Sequence, residues 1–316
     1  MSSILPPLFD GDTLFIDNSS LEHFTTCPRQ ALYSIVRRLK PAGERTALNF
    51  GGIVHKILEA RYRACTALHA QTQDVTRVMI ATAEREFQKW SPPEDDFRTF
   101  SCAVELIRRY EEMYPFEQFE VVRGADGSPM IEVPFAIPLG VIKTDIDGTK
   151  KDIKIVWQGR IDLVYLSENG GGLYVMDHKT TSVMGPSYFA AFTIAHQMYG
   201  YAWAVEQLCG RKVDAVVINA LGVRKPTRTG NAFEFKREVI PVQRGLLDEW
   251  KKDCLYIVAD FIEMCRRGYL PKHTAWCNGK FGECPFRKVC TLETDDQREI
   301  MLNSGEYVAN DWSPLK

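Results

Sequence analysis

The sequence predicts an α/β fold, a central mixed β-sheet flanked by helices. Three observations point there. First, IKIVWQGRIDLVYL and GLYVMDHKTTS, within residues 153–182, read as two strands joined by the turn-rich SENGG. Both of their faces are apolar, so the sheet needs cover on each side. Second, residues 51–68 place Val54, Ile57, Leu58, Tyr62 and Cys65 at helical spacing. Third, a helix at 187–208 and the apolar strand VDAVVINAL at 213–221 follow the hairpin, the alternation expected of strands and covering helices.

The remaining elements follow in chain order. Residues 17–38 begin with cap-type Asn18, Ser19 and Ser20, and Pro28 breaks the segment into two short helices. Residues 75–90 and 99–113 read as helices separated by Pro92-Pro93, and MIEVPFAI at 130–137 reads as a strand. After 221 come the basic loop GVRKPTRTG, a strand near 233–240 and a helix at 244–267. A Cys-rich tail at 271–292 has no core of its own. There is no clean boundary, so the expectation is one domain over 1–316 with a helical insertion at 66–120.

Composition limits the function classes. Hydrophobic residues make up 45% and charged residues 25% of 316, which excludes a disordered or fibrous chain. Lys and Arg total 39 against 41 Asp and Glu, so any nucleic-acid contact must come from a local basic patch. The N-terminus MSSILPPLFDGDTLF lacks secretory features. No apolar run approaches the ~18 residues of a membrane span. The expectation is a cytoplasmic protein without a membrane partner. Its nine cysteines are then thiols or metal ligands.

The hairpin carries chemistry. Asn169-Gly170 is a strong two-residue turn signal, and a turn there pairs residues whose numbers sum to 339. Val164 then faces Val175, and Asp162 falls opposite Asp177. Alternation puts Asp162, Val164, Leu166, Leu173, Val175, Asp177 and Lys179 on one face. Two half-buried carboxylates repel, and a bridging divalent cation removes that penalty. Hard oxygen donors suit Mg²⁺ or Mn²⁺. An ammonium beside them can orient water and offset charge on phosphorus, an arrangement suited to phosphodiester cleavage. Without a cation, the same residues are a solvent-facing acidic end with an Asp–Lys pair. His55, beside the apolar stripe of its helix, is a candidate further metal ligand. Gln197 and Tyr201, four apart, share a helix face. Glu132 could add an acidic group or simply face solvent.

The set His55, GRIDLVYL with Asp162, VMDHKTT with Asp177-His178-Lys179, and QMYGY with Gln197 and Tyr201 resembles the PD-(D/E)XK nuclease superfamily in its RecB-like branch. The resemblance implies a restriction-endonuclease-like core. It implies that Asp162, Asp177, the main-chain carbonyl of His178 and His55 bind the metal, and that Lys179 positions or activates the attacking water. Gln197 and Tyr201 would contact DNA or support the lysine. Ile161 stands where the pattern often has proline, a departure common in that branch.

Four of the cysteines form a second constellation. Cys277, Cys284 and Cys290 lie in WCNGKFGECPFRKVC, and Cys27 in EHFTTCPRQALY. Four thiolates favour a soft site, [4Fe–4S] or zinc, though the close cysteine pairs usual for zinc are missing. In a zinc site His273 could replace one cysteine. Cys65, Cys102, Cys209, Cys254 and Cys265 read as packing thiols. The combination resembles iron–sulfur RecB-like nucleases such as CRISPR-associated exonucleases and AddB-type nuclease domains. That resemblance implies a [4Fe–4S] cluster on Cys27, Cys277, Cys284 and Cys290, stapling the 271–292 tail to the segment 17–40.

Candidate phosphate contacts are Arg224, Lys225 and Arg228, and, near Cys27, Arg29, Arg37, Arg38 and Lys40. Phe24, Tyr33 and Trp276 could stack unpaired bases or shield the cluster. The leading expectation is a metal-dependent DNA exonuclease acting on single-stranded ends, with helicase, recombination or CRISPR-adaptation proteins as partners. Its rivals are a non-catalytic or accessory DNA-binding subunit of such a complex and a zinc-stapled binding domain.

Overall fold

A computed structural model describes residues 9–315 other than 11, 44, 69–71, 147–148, 169–170, 229, 280–281, 312 and 314. The chain packs as two compact units, each discontinuous in sequence: 1–43, 134–159 and 247–316 form one, and 44–133 and 160–246 the other. No composition shift marks a boundary because neither unit is a single stretch of chain.

The second unit holds a mixed sheet flanked by helices. Its longer helices are α1 (Thr46–Leu68), α2 (Thr72–Phe87), α3 (Phe100–Met113) and α4 (His196–Cys209). Its strands are β1 (Phe119–Val121), the start of β2 (Ile131–Ile146), the end of β3 (Thr149–Ser167), β4 (Leu173–Thr181), β5 (Ala215–Val223) and β6 (Phe233–Pro241). β1, β3 and β4 pair antiparallel, β4 and β5 parallel, and β5 and β6 antiparallel. The parallel pair needs a crossover, which α4 supplies by packing along β4 and β5.

The register is that expected of the turn. Leu166 pairs with Leu173, Val164 with Val175 and Leu163 with Met176. The Asn169-Gly170 turn itself lies outside the described residues. Leu163, Tyr165 and Met176 share one core with Ile57, Leu58, Met79, Leu106 and Ile107 of α1–α3. The segment 66–120 therefore supplies α2 and α3 to the layer that covers this sheet face. Every residue of β5 is buried. Each fully buried aliphatic side chain there contributes about 2 kcal/mol.

Element ends differ from expectation where local chemistry decides them. The strand expected at 130–137 runs on to Ile146. The single helix expected at 187–208 is two, Pro186–Ala190 and α4, with Ala195 extended between them (φ −70°, ψ 134°). The intervening Phe192-Thr193-Ile194 includes two β-branched residues, which favour helix less. Gly210, left-handed at φ 64°, closes α4.

In the first unit, Thr13–Ile16 runs parallel to residues 154–157. The Arg29 N–H donates to Pro271 O at 3.1 Å, and the Arg29 guanidinium to Leu270 O at 2.7 Å. Phe24 stacks on Phe261 with centroids 3.8 Å apart, and Tyr33 packs on Phe286. Both are buried, so they are core residues and not base-stacking platforms. Trp276 is exposed. Cys254 and Cys265 are buried as expected, but Cys65 is exposed and is no packing thiol. No helix among the described residues is long and apolar enough to cross a membrane.

Candidate active site

The hairpin ladder stops one pair short of the two aspartates, and side chains take over. Asp162 Oδ2 accepts the His178 main-chain N–H at 2.6 Å. Asp162 and Asp177 are both buried. Burial pushes the Asp177 carboxyl above its ordinary range and Asp162 adds to this, while Lys179 opposes it. Burial would raise Asp162 too, but His55, through charge and hydrogen bond, holds it well below the usual carboxylate range. The two acids thus divide as interacting carboxylates do.

Lys179 shares the Asp177 face, as the alternation predicts. Its Nζ donates to Oδ1 at 2.9 Å and lies 2.7 Å from Oδ2. Oδ2 itself is buried without a well-formed hydrogen bond. A buried carboxylate whose oxygen is paired with Lys179 but lacks a well-formed hydrogen bond suits a cation.

His55, on α1, brings Nδ1 to 3.5 Å from Asp162 Oδ2 and 3.6 Å from Glu132 Oε1. Burial opposes its protonation, but Asp162 and Glu132 outweigh this and push it up to about 10. An imidazolium therefore sits between two carboxylates. Among the described residues, His55, Glu132 and Asp162 are the one group of three or more potential ligands whose donor atoms all lie within 4.8 Å of one another. One nitrogen and two carboxylates fit a divalent ion, which would displace the His55 proton.

Glu132 is the residue that sequence reasoning left undecided. It is the second residue of β2 and has a left-handed φ of 51°, uncommon for a residue with a side chain. Alternation along a regular strand could not reveal where it points. Tyr188 was also missed: burial and the charge of Asp177 push its phenol up to about 12, against a hydrogen bond with Thr181. It follows β4 by seven residues, and no spacing rule marks it.

Gln197 and Tyr201 do meet, Gln197 Nε2 donating to Tyr201 Oη at 3.0 Å. Burial first, then the charges of Asp177 and Asp162, hold the Tyr201 phenol well above its ordinary value. It remains a neutral donor. Of the basic residues, Arg224 docks at the end of β4, its Nε donating to Ser182 O at 3.1 Å, and it pairs with Glu234 at 2.6 Å. Lys225 and Arg228 are exposed. In the other unit Arg37 pairs with Glu299 at 2.6 Å.

The His178 ring takes the opposite face from Asp177. It is buried and stacks on Tyr62, with centroids 5.6 Å apart and planes 4° apart. Burial, its largest influence, holds the imidazole down at about 3, so it is neutral.

All four sequence-selected cysteines lie in the first unit. The His273 N–H approaches Cys27 Sγ at 3.5 Å, and the Cys284 N–H donates to Cys277 O at 3.0 Å. They do not gather to single-ion distances, since they form no group within 4.8 Å. Burial raises the thiols of Cys284 and Cys290. The charge of Cys27 and of a neighbouring tail cysteine raises both further.

The sequence matches the family model of the PD-(D/E)XK nuclease superfamily over residues 18–291. No curated protein matches it. Among solved structures it is similar to a Eubacterium rectale protein assigned as an exonuclease, at 13% identity over 92% of this chain and 93% of that one, with a TM-score of 0.48. It is also similar to LHK-Exo in complex with dAMP, at 12% identity over 69% and 93% of the two chains, with a TM-score of 0.23. The family assignment stands on the sequence match, which spans most of the chain: the chain belongs to the PD-(D/E)XK nuclease superfamily.

Proposed function

We propose that the protein is a metal-dependent DNA exonuclease of the RecB-like branch, hydrolysing phosphodiester bonds at single-stranded ends. The observation that carries this reading is the convergence of Asp162, Asp177 and Lys179 at one buried end of the hairpin, with Lys179 Nζ 2.7 Å from Asp177 Oδ2. Asp162, Asp177, His55 and the His178 carbonyl would hold Mg²⁺ or Mn²⁺, with Glu132 as an added ligand. The ion, when bound, supplies charge neutralisation and Lewis acidity at the scissile phosphate.

The chain's own groups do the rest. Lys179 orients the attacking water and offsets charge developing on the phosphoryl oxygens. Tyr201, kept neutral and fixed by Gln197, offers a hydrogen bond without adding negative charge beside phosphate. Exposed Lys225 and Arg228, beside the Glu234-paired Arg224, supply local positive charge that the near-neutral total of −2 does not.

In this reading Cys27, Cys277, Cys284 and Cys290 ligate a structural [4Fe–4S] cluster. The soft four-thiol donor set, gathered in one compact unit, supports it. Protein purified anaerobically should be brown and contain iron; a colourless protein with stoichiometric zinc overturns the cluster.

The decisive test is digestion of 5′- and 3′-labelled single- and double-stranded DNA with Mg²⁺ or Mn²⁺. Wild type should release nucleotides from single-stranded ends, and Asp177→Ala and Lys179→Ala should not. Equal digestion by the variants overturns the assignment.

A further inference from the structure

The metal site rests against a buried polar network that the nuclease chemistry does not use. It begins at His178, whose Nδ1 lies 2.9 Å from Asn219 Nδ2. Asn219 is fully buried in the middle of β5. Its Nδ2 also donates to Tyr110 Oη at 2.9 Å, and Arg237 Nε approaches its Oδ1 at 3.4 Å. Arg237 continues to Glu117, with its two terminal nitrogens 2.7 and 2.8 Å from the carboxylate oxygens. Arg61 closes the network, donating to Glu111 at 2.5 Å and to Glu117 at 2.6 Å.

The donors and acceptors fix the direction of these bonds. A guanidinium has only donors, so Arg237 must face the Asn219 oxygen. The Asn219 amide therefore turns its NH₂ toward His178. His178 Nδ1 must then accept, which leaves the neutral imidazole with its proton on Nε2. Tyr110 Oη accepts from both Asn219 and Arg237 Nη2, the latter at 2.9 Å. Its own hydrogen can then serve Tyr62 Oη at 3.3 Å.

We propose that Asn219 is a positioning residue for the metal site. It holds the His178 ring against Tyr62, and the ring holds the main chain between Asp177 and Lys179. That main chain supplies the N–H on Asp162 Oδ2 and the carbonyl assigned to the ion. Residues that orient ligands govern metal affinity although they do not touch the ion; losing one typically weakens binding about 10- to 100-fold. The inference rests on the proposed metal site.

The test is Mn²⁺ binding by calorimetry and by metal-induced thermal stabilisation, on the full chain, for wild type and four variants. Asn219→Leu should bind Mn²⁺ about 10- to 100-fold more weakly. Asn219→Ser, small enough to admit a water, decides the matter if Asn219→Leu does not fold. Tyr62→Phe keeps the stacked ring and removes only a hydroxyl, so it should lose stability but keep its affinity. Asp177→Ala should abolish binding. If Asp177→Ala loses binding while a folded Asn219 variant keeps wild-type affinity, the positioning role is wrong. It is also wrong if Tyr62→Phe weakens binding as much as the Asn219 variants do. If Asp177→Ala binds as well as wild type, the metal-site reading itself fails, and this inference with it.

Discussion

The main-chain N–H of His178 lies 2.6 Å from Asp162 Oδ2. One side chain thus replaces the next rung of the β3–β4 ladder, and the strand pair ends as a carboxylate site. The sheet loses a backbone hydrogen bond there and gains a fixed position for a negative charge.

That arrangement sets stability against function at Asp177. Its carboxyl is raised by burial and by Asp162, so the folded state binds a proton more tightly than the unfolded chain. The contribution is complete below the ordinary aspartate pKa, about 3.9, and is lost as pH rises through the folded value. At neutral pH and without metal, Asp177→Asn should raise the melting temperature while removing Mg²⁺-dependent nuclease activity. Melting curves with EDTA check the first effect; a lower melting temperature contradicts it.

Glu132 stores strain. Relieving a left-handed backbone contributes about 1 kcal/mol, and glycine accepts φ 51° freely. In EDTA, Glu132→Gly sets that relief against the lost His55 ion pair and should stay close to wild type in stability, yet it should bind Mn²⁺ more weakly. Equal Mn²⁺ affinity in a titration would remove Glu132 from the ligand set.

Burial of a neutral His178 should make the metal-free protein acid-labile. Its imidazole titrates at about 3 when folded and near 6.5 when unfolded. The unfolded state binds the extra proton throughout that window, so stability falls as pH drops from 6.5 toward 3. Denaturant midpoints against pH should show this slope, and His178→Gln should flatten it. An unchanged slope in the variant would assign the acid lability to other groups.

The Arg61 guanidinium is almost completely buried between Glu111 and Glu117. Arg61→Leu leaves Glu111 uncompensated and should lower stability by about 3 to 5 kcal/mol, read from urea unfolding. Arg237 still neutralises Glu117, so adding Glu111→Leu should restore much of the loss. No recovery in the double variant would mean that the damage is steric.

Legibility in the sequence followed range. The Asn169-Gly170 signal and alternation set the β3–β4 register, and with it the shared face of Asp162, Asp177 and Lys179. Gln197 and Tyr201 met because helical spacing is equally local. Glu132 escaped, since its aim depends on one left-handed φ inside a strand. The Arg61, Glu117 and Arg237 network escaped for a different reason: its members come from α1, the segment before β1, and β6, and no period relates them. The cysteines fell between these cases. Spacing, flanking residues and the family resemblance singled out four of nine, but the distances among them depend on the packing of a segment near residue 27 with one after 270.

The interleaving of the two units also orders events during synthesis. Every residue of the unit carrying Asp162, Asp177 and Asn219 has been made by residue 246, whereas the other unit waits for 247–316. Chains fold progressively as they emerge. The ribosome therefore delivers the carboxylate centre before Cys277, Cys284 and Cys290, so a nascent chain holds a complete acidic site while Cys27 still waits for the other three.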